Sequence, residues 1–186
     1  MDLDQYQIER NAEILTECIQ SKPLRRRIQK EIEKMYPAYD QIVVSFDPDK
    51  KGNRRPSSHD FNMGELTVTI REIVEDKIQA YEFVIPLAYP FVPPKIRFQS
   101  RPYIDFLKLN YSASEFQVFR RITNQQCFCC HSLNCGDNWS PAITLEKIID
   151  EIRWIKSVKR RMIHKLLADK IKARYLIDDI DLDGWL

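Results

Sequence analysis

Two consecutive stretches that alternate apolar and polar residues constrain the fold of this chain more than any other feature. In ELTVTIREIV, residues 65 to 74, Leu66, Val68 and Ile70 lie on one side of an extended chain and the threonines between them on the other. IQAYEFVIP, residues 78 to 86, alternates in the same way after a short connection. This pattern predicts an antiparallel hairpin with one buried face.

Neighbouring segments extend the hairpin into a predicted four-stranded antiparallel meander. YDQIVVSFD, residues 39 to 47, is rich in β-branched and aromatic residues, and KIRFQS, residues 95 to 100, predicts a short fourth strand. The polar segment from 48 to 64 contains many turn-forming residues, which predicts a long loop. Residues 101 to 126 mix aromatic and polar residues without a clear period, so they predict no regular element.

Helical periodicity occurs on both sides of this sheet. A loose apolar stripe predicts a first helix over residues 4 to 21, and a second helix begins around Pro23 and ends at Tyr36. A long stripe over residues 145 to 175 predicts a third helix, for which Thr144 is a plausible N-cap. Helices separated in sequence from an antiparallel meander define an α+β fold.

Composition limits the classes of function. A chain of 186 residues with 44% hydrophobic residues can build one domain with a substantial core, and its net charge of +2 gives no reason to expect a nucleic-acid or membrane partner. Its five cysteines, four of them within nine residues, are a poor disulfide framework. With no secretory signal pattern at the start, they indicate a reducing, intracellular setting, either cytoplasmic or nuclear.

The cysteine-rich segment CFCCHSLNCGDNWSPAITL, residues 127 to 145, has three interpretations. Its cysteines could be small buried hydrophobic residues, or one of them could be a nucleophile near the start of a helix. They could also bind structural zinc, for which the spacing allows a set of four ligands, although the usual second, distant pair is missing. The zinc ligands in that case are Cys127, Cys130, His131 and Cys135, with Cys129 as a further candidate.

Another rigid segment precedes these cysteines. YPFVPP, residues 89 to 94, has three prolines in six residues, so it cannot form a regular ladder and predicts a stiff, extended corner. Such a corner either packs its aromatic residues on the core or presents one of them to a partner.

Taken in order, these pieces resemble the ubiquitin-conjugating enzyme family. The resemblance rests on the helix at 24 to 35, on the corner and strand YPFVPPKIRF, and on NWSPAITLEKII leading into a central helix, with a cysteine just before it. It covers roughly residues 23 to 155. Residues 1 to 22 are then a helical extension, and residues 156 to 186 are a basic helical extension with an acidic tail.

The resemblance implies a thioester-forming cysteine eight or nine residues before Trp139, which selects Cys130, with Cys129 and Cys127 as the next candidates. The family's His-Pro-Asn motif is absent. Asn110 and Asn124 are the candidates to replace its asparagine in supporting the oxyanion or the loop around it. This divergence suits a distant relative of viral type.

The same resemblance implies the partners. They are ubiquitin or a ubiquitin-like protein, an activating enzyme and a ligase, the last docking on Phe91, Pro141 and Ala142. No metal or small-molecule cofactor is needed for the transfer. We therefore interpret the chain as a ubiquitin-conjugating acyltransferase. The alternative is a catalytically inactive binding or scaffold module of the same fold, with or without a zinc-stabilised cysteine loop.

Overall fold

The computed structural model describes residues 3–49, 64–108 and 112–175. These residues form an α+β fold with two N-terminal helices, an antiparallel sheet, two shorter helices and a long C-terminal helix. The helices are α1 (Leu3–Cys18), α2 (Lys22–Met35), α3 (Tyr103–Leu107), α4 (Ala113–Thr123) and α5 (Leu145–Tyr175). The strands are β1 (Gln41–Asp47), β2 (Glu65–Val74), β3 (Lys77–Ile85), β4 (Lys95–Phe98) and β5 (Arg101–Pro102).

The sheet is a five-stranded antiparallel meander in which each strand pairs with the next along the chain. The prediction of four strands was one short, because a tight turn at Gln99 and Ser100 reverses the chain and pairs β5 with β4. Both turn residues have positive φ, as do Glu75 and Asp76 between β2 and β3. Two consecutive residues of this kind are typical of type I′ turns, whose twist matches that of a hairpin.

One face of the sheet packs against α2 and α5 in a single hydrophobic cluster. Alternation places every second strand residue in this cluster, as the sequence predicts. Burying each large aliphatic side chain there contributes about 1.5–3 kcal/mol, which is enough to hold helices to sheet. The buried side chains of the sheet face include Ile42, Val44, Leu66, Val68, Ile70, Tyr81, Phe83, Ile96 and Phe98.

A side chain of α1 covers the outer edge of the sheet. The buried Asn11 donates through Nδ2 to the Ile42 carbonyl at 2.7 Å and accepts through Oδ1 from the Val44 N–H at 2.8 Å. Because β1 is an edge strand, these backbone groups would otherwise be open to pairing with another chain. The Asn11 amide therefore replaces a neighbouring strand at this point.

The segment without a clear period contains two helices that we did not predict, α3 and α4. A capping box starts α4, in which the Ser112 hydroxyl accepts from the Glu115 N–H and the Glu115 carboxylate accepts from the Ser112 N–H. Asn124 follows the helix in the left-handed conformation, with φ of 55°. The buried residues of α4 are Val118 and Phe119, a stripe too short to show as a period.

The basic residues of α5 hold the helix to the sheet. Arg153 forms an ion pair with the buried Glu72, and Lys156 Nζ donates to Gln79 Oε1 at 2.6 Å. Lys159 Nζ lies over the ring of Phe106 in α3, 4.3 Å from the ring centre. This part of the basic stretch is therefore used within the fold.

The hydrophobic cluster includes residues on both sides of the two predicted domain boundaries. Leu15 and Ile19 belong to it before residue 23, and Val158 and Met162 belong to it after residue 155, where α5 continues without a break. Among the described residues, none of the helices is both long enough and apolar enough to cross a bilayer. The acidic tail predicted at 176 to 186 lies outside the described residues, as does most of the loop predicted at 48 to 64.

Candidate functional site

The cysteine loop, residues 124 to 144, connects α4 to α5, and one aromatic side chain anchors it in the core. Phe128 is 1% exposed, and its ring makes edge contacts with Phe119 of α4, with 4.9 Å between centres, and with Trp154 of α5, at 5.8 Å. A single 3-10 turn, Cys129–His131, follows it. Because Phe128 points into the core, the residues of this turn are left at the surface.

Three cysteine side chains converge on this turn. The sulfur atoms of Cys127, Cys129 and Cys130 all lie within 4.8 Å of one another. The Cys129 thiol is 3.2 Å from Cys127 Sγ and 3.9 Å from Cys130 Sγ, and the Cys130 backbone N–H donates to Cys127 Sγ at 3.4 Å. Cys129 and Cys130 are exposed and Cys127 is half-buried, so at least two of the thiols are open to solvent.

The thiols of this cluster differ in acidity. Hydrogen bonds from the thiol and from the backbone N–H of Cys130 lower the pKa of Cys127. Hydrogen bonding of its own thiol to Cys127 and Cys129 raises the pKa of Cys130 to about 12. The thiolate form is therefore favoured at Cys127 relative to Cys130, because the neighbouring groups donate to the Cys127 sulfur.

Glu151 of α5 anchors the second half of the loop. Its Oε1 accepts from the Leu133 N–H at 2.8 Å, and its Oε2 accepts from the hydroxyl of Ser132 at 3.1 Å and from that of Tyr103 at 2.9 Å. Burial raises the pKa of Glu151, and the three donors partly offset this effect. The Glu151 carboxylate thus holds both the cysteine loop and α3 to α5.

Asn138 fastens the loop to itself. Its Nδ2 donates to the Cys130 carbonyl at 2.8 Å and to the Ser132 carbonyl at 3.1 Å. Asn138 was not among the predicted site residues, because the resemblance places the supporting asparagine before the cysteines and Asn138 follows them. Its position directly before Trp139 is the signal that could have identified it.

The proline corner and the segment after the cysteines lie in contact. The Trp139 indole N–H donates to the Pro90 carbonyl at 2.8 Å, and the Trp139 ring lies 6.2 Å from that of Tyr89, centre to centre. Two motifs that are 49 residues apart in sequence are therefore adjacent in space.

Glu31 of α2 joins these two segments from inside the fold. This carboxylate is 6% exposed, accepts from the Tyr89 hydroxyl at 2.7 Å, and accepts from the Leu145 N–H at the first turn of α5 at 2.9 Å. A negative charge at that end of a helix also interacts favourably with the helix dipole. Arg27 completes the network, because it pairs with Glu31 and donates to the Ile143 carbonyl at 3.1 Å.

The residues predicted to dock a ligase are all exposed. Phe91 has 76% of its surface accessible, and Leu87, which lies just before the corner, has 59%. Pro141 and Ala142 are exposed on the segment that the Trp139 bond holds against the corner. We call these four exposed apolar residues, Leu87, Phe91, Pro141 and Ala142, the corner surface.

The other predicted site residues lie in different places. His131 is exposed and Cys135 is half-buried, and among the described residues neither belongs to the group of three converging sulfur atoms. Asn124 is exposed at the end of α4, where its backbone N–H bonds to the Arg120 carbonyl. Asn110 lies outside the described residues.

Comparison of the chain with protein-family models, with curated proteins and with solved structures found no match.

Proposed function

We propose that the chain is a divergent ubiquitin-conjugating enzyme that carries ubiquitin or a ubiquitin-like modifier as a thioester on Cys130. The observation that carries this proposal is the hydrogen bond from Trp139 to the Pro90 carbonyl. It brings the two most specific motifs of the resemblance into contact, and the second of them directly follows a loop of exposed thiols. Cys130 has the required spacing before Trp139, and its side chain is open to solvent.

The reaction is a pair of acyl transfers. In the first, Cys130 Sγ attacks the thioester carbonyl that links the modifier to the activating enzyme, a new S–C bond forms, and the enzyme's thiol leaves with the Cys130 proton. In the second, a lysine amine or a ligase thiol attacks the Cys130 thioester, and the Cys130 thiol leaves with a proton from the attacking group. A thiol suits both steps because its thiolate attacks well and leaves well. The raised pKa of Cys130 works against the first step, so loading requires that the Cys130 proton be removed as the S–C bond forms.

The loop geometry supports a role in positioning for Asn138 and Glu151. Asn138 holds the Cys130 carbonyl, and Glu151 holds Ser132 and Leu133, so the backbone around the acceptor is fixed from both sides. Fixing the reacting group in place lowers the entropic part of the barrier.

The test is acyl loading. The chain is incubated with an activating enzyme, ATP and its tagged modifier, with ubiquitin and ubiquitin-like modifiers tried separately, and run on a non-reducing gel beside a thiol-treated sample. We expect a thiol-labile adduct for the unmodified chain and for Cys135→Ser. Cys130→Ser should give either no adduct or an oxygen ester that resists thiol.

Two outcomes contradict the proposal. A thiol-labile adduct that persists in Cys130→Ser assigns the acceptor to another cysteine. Absence of an adduct with every modifier removes the enzymatic function.

The corner surface is tested separately as a ligase-docking site. Phe91→Ala should weaken ligase-stimulated transfer by at least about tenfold, since exposed aromatic anchors dominate interfaces. Ile104→Ala is the matched control, because Ile104 is an exposed apolar residue on α3. Equal effects of the two changes would argue against specific docking.

One observation favours the second candidate function, a binding module without chemistry. The Asn138 side chain is already engaged with two carbonyls, so its amide donates to the loop backbone and not to an oxyanion beside Cys130. A module of this kind keeps partner binding at the corner surface and forms no thioester in the loading assay.

A further inference from the structure

We propose that Cys127, Cys129 and Cys130 bind one thiophilic metal ion such as Zn²⁺ through three thiolates. The sequence-based zinc set drew on His131 and Cys135, whereas the three sulfur atoms that converge come from Cys127, Cys129 and Cys130. Each thiol gives up its proton to solvent as its metal–sulfur bond forms. The assignment of this site does not rest on the proposed acyl transfer.

The sulfur positions fit such an ion. Zinc–thiolate bonds of about 2.3 Å at tetrahedral angles place the sulfur atoms about 3.8 Å apart. Cys129 Sγ is 3.9 Å from Cys130 Sγ and 3.2 Å from Cys127 Sγ, and all three pairs are within 4.8 Å. Shifts of under an ångström along flexible side chains therefore bring all three to bonding distance.

The backbone around the cluster is already fixed. Phe128 is buried between two helices, and Asn138 holds the Cys130 carbonyl from the other side. A preorganised ligand set loses little conformational entropy when an ion binds. The Cys130 N–H that donates to Cys127 Sγ would remain as an outer hydrogen bond, which is how proteins orient and stabilise metal-bound sulfur.

Exposure of the cluster determines what kind of site this is. Cys129 and Cys130 face solvent, so the fourth position on the ion is open to water or to an added ligand. Structural zinc sites are closed by four protein ligands, whereas sites with three protein ligands keep an exchangeable position. We therefore expect an ion that exchanges and that a chelator removes without unfolding the chain.

The site also has a consequence for acyl loading, and this part rests on the proposed function. Cys130 Sγ cannot hold a metal ion and attack a carbonyl carbon with the same electron pair. Metal binding and thioester formation are therefore mutually exclusive, and a bound ion inhibits loading until it leaves.

The binding test uses the full chain, reduced with a phosphine so that no competing thiol is present. Titration with Co²⁺ should give sulfur-to-cobalt charge-transfer absorption that saturates at about one equivalent, and Zn²⁺ should displace it. Cys127→Ser, Cys129→Ser and Cys130→Ser should each weaken binding by more than the roughly 10–100-fold typical of losing an outer-shell partner. Cys135→Ser and Cys18→Ser should bind as the unmodified chain does.

Two results would overturn the assignment. No thiolate absorption at saturating Co²⁺ means that the cluster is not a metal site. Binding that is lost in Cys135→Ser means that the site is a different, four-ligand one. Circular dichroism of each variant shows that the fold is retained, so that loss of binding reports the ligand.

Loading assays with and without Zn²⁺ separate this inference from the proposed function. If the chain binds Zn²⁺ but forms no adduct in zinc-free buffer, the metal site stands and the enzymatic function is removed. An adduct that forms equally fast with saturating Zn²⁺ contradicts the inhibition and leaves the enzyme standing.

Discussion

Glu151 illustrates how one side chain sets the geometry of the loop. Its two carboxylate oxygens accept three hydrogen bonds, from the Leu133 N–H and from the hydroxyls of Ser132 and Tyr103. An amide at the same position offers one acceptor oxygen and places an NH₂ group against a donor. The acid is therefore required here by the number of acceptors and not only by its charge.

The first prediction is that Glu151→Gln lowers the free energy of unfolding by about 1–3 kcal/mol, because at least one buried donor loses its acceptor. Urea denaturation measures the change. Asp150→Asn is the control, since Asp150 is exposed on the same helix and its ion pair with Arg153 is worth about 0–1 kcal/mol. Equal losses in both variants would contradict the anchoring role.

The second prediction concerns pH. Burial raises the folded pKa of Glu151 above the unfolded value of about 4.3, so the folded chain holds the proton more tightly. Its contribution to stability is present below the unfolded pKa and is lost as pH rises through the folded one. The stability of the unmodified chain relative to Glu151→Gln should therefore fall with rising pH in that window, measured by urea denaturation at a series of pH values.

Glu72 provides the opposite control for this experiment. Burial disfavours its charge, but hydrogen bonds from Arg153 and Tyr81 outweigh that effect and lower its pKa. Its contribution is present above the unfolded pKa and is lost as pH falls through the folded one. The free energies of unfolding of the unmodified chain and of Glu72→Gln should therefore differ less at acid pH. If both glutamates changed this difference with pH in the same direction, the reasoning would be refuted.

At the scale of residues, the sequence indicates candidates by their spacing along the chain, but it does not indicate which side chains the fold brings into contact. Counting back from Trp139 selects Cys130, whose thiol is exposed in the structure, and its role as acceptor stays a prediction. The convergence of Cys127, Cys129 and Cys130 depends on a 3-10 turn, which spacing alone does not define.

Among the elements, α1 and β1 show how a helix can close the edge of a sheet. The third prediction is that Asn11→Ala costs about 1–3 kcal/mol, because the Ile42 carbonyl and the Val44 N–H lose their partners. Concentration-dependent self-association should increase as well, since a bare edge strand accepts another chain. Thermal melts and sedimentation measure the two effects.

Gln5→Ala is the matched change on the same helix. Gln5 is exposed, and within the described part of the chain its side chain bonds to Glu9 one turn along the helix, so its loss should stay within about 0.5 kcal/mol and leave association unaltered. Association that is equal in both variants would show that the edge is protected by other means.

Element by element, strong periods were read correctly. The alternation in β2 and β3 and the long stripe of α5 match the structure, because each spans enough residues for its buried face to repeat. The stripe of α4 was not recognised, although Ser112 and Glu115 carry the signature of a capping box. The two-residue strand β5 exists because of the turn before it and has no pattern of its own.

For the whole molecule, the network of Glu31, Tyr89 and Trp139 is what joins segments far apart in sequence. The fourth prediction is that Trp139→Phe removes the bond to the Pro90 carbonyl and costs about 0.5–1.5 kcal/mol. Hydrogen exchange should rise in the corner at residues 89 to 92 and in the cysteine loop together, because each holds the other.

Trp154→Phe controls for the loss of an indole. Trp154 lies on α5 and packs on Phe128, a contact that a phenylalanine ring can still make, so its replacement should leave exchange in the corner and in the loop nearly as it was. If hydrogen exchange in Trp139→Phe became faster in only one of the two segments, the corner or the cysteine loop, the coupling between them would be contradicted.

The arrangement of the whole chain was predictable as an α+β order of elements, but its connections were not. Nothing in the alternation of the strands or the stripe of α5 indicates that Glu31 accepts from both Tyr89 and the first turn of α5. Such bonds depend on side chains that the fold brings together over 58 and 114 residues of sequence.

The cysteine loop is held in shape mainly by residues other than its cysteines. Phe128, Asn138 and Glu151 hold its backbone, while Cys129 and Cys130 face outward and bury nothing of consequence. Substitutions at Cys129 and Cys130 should therefore carry little folding penalty, so the chemistry of this turn can be changed while the scaffold that presents it stays in place.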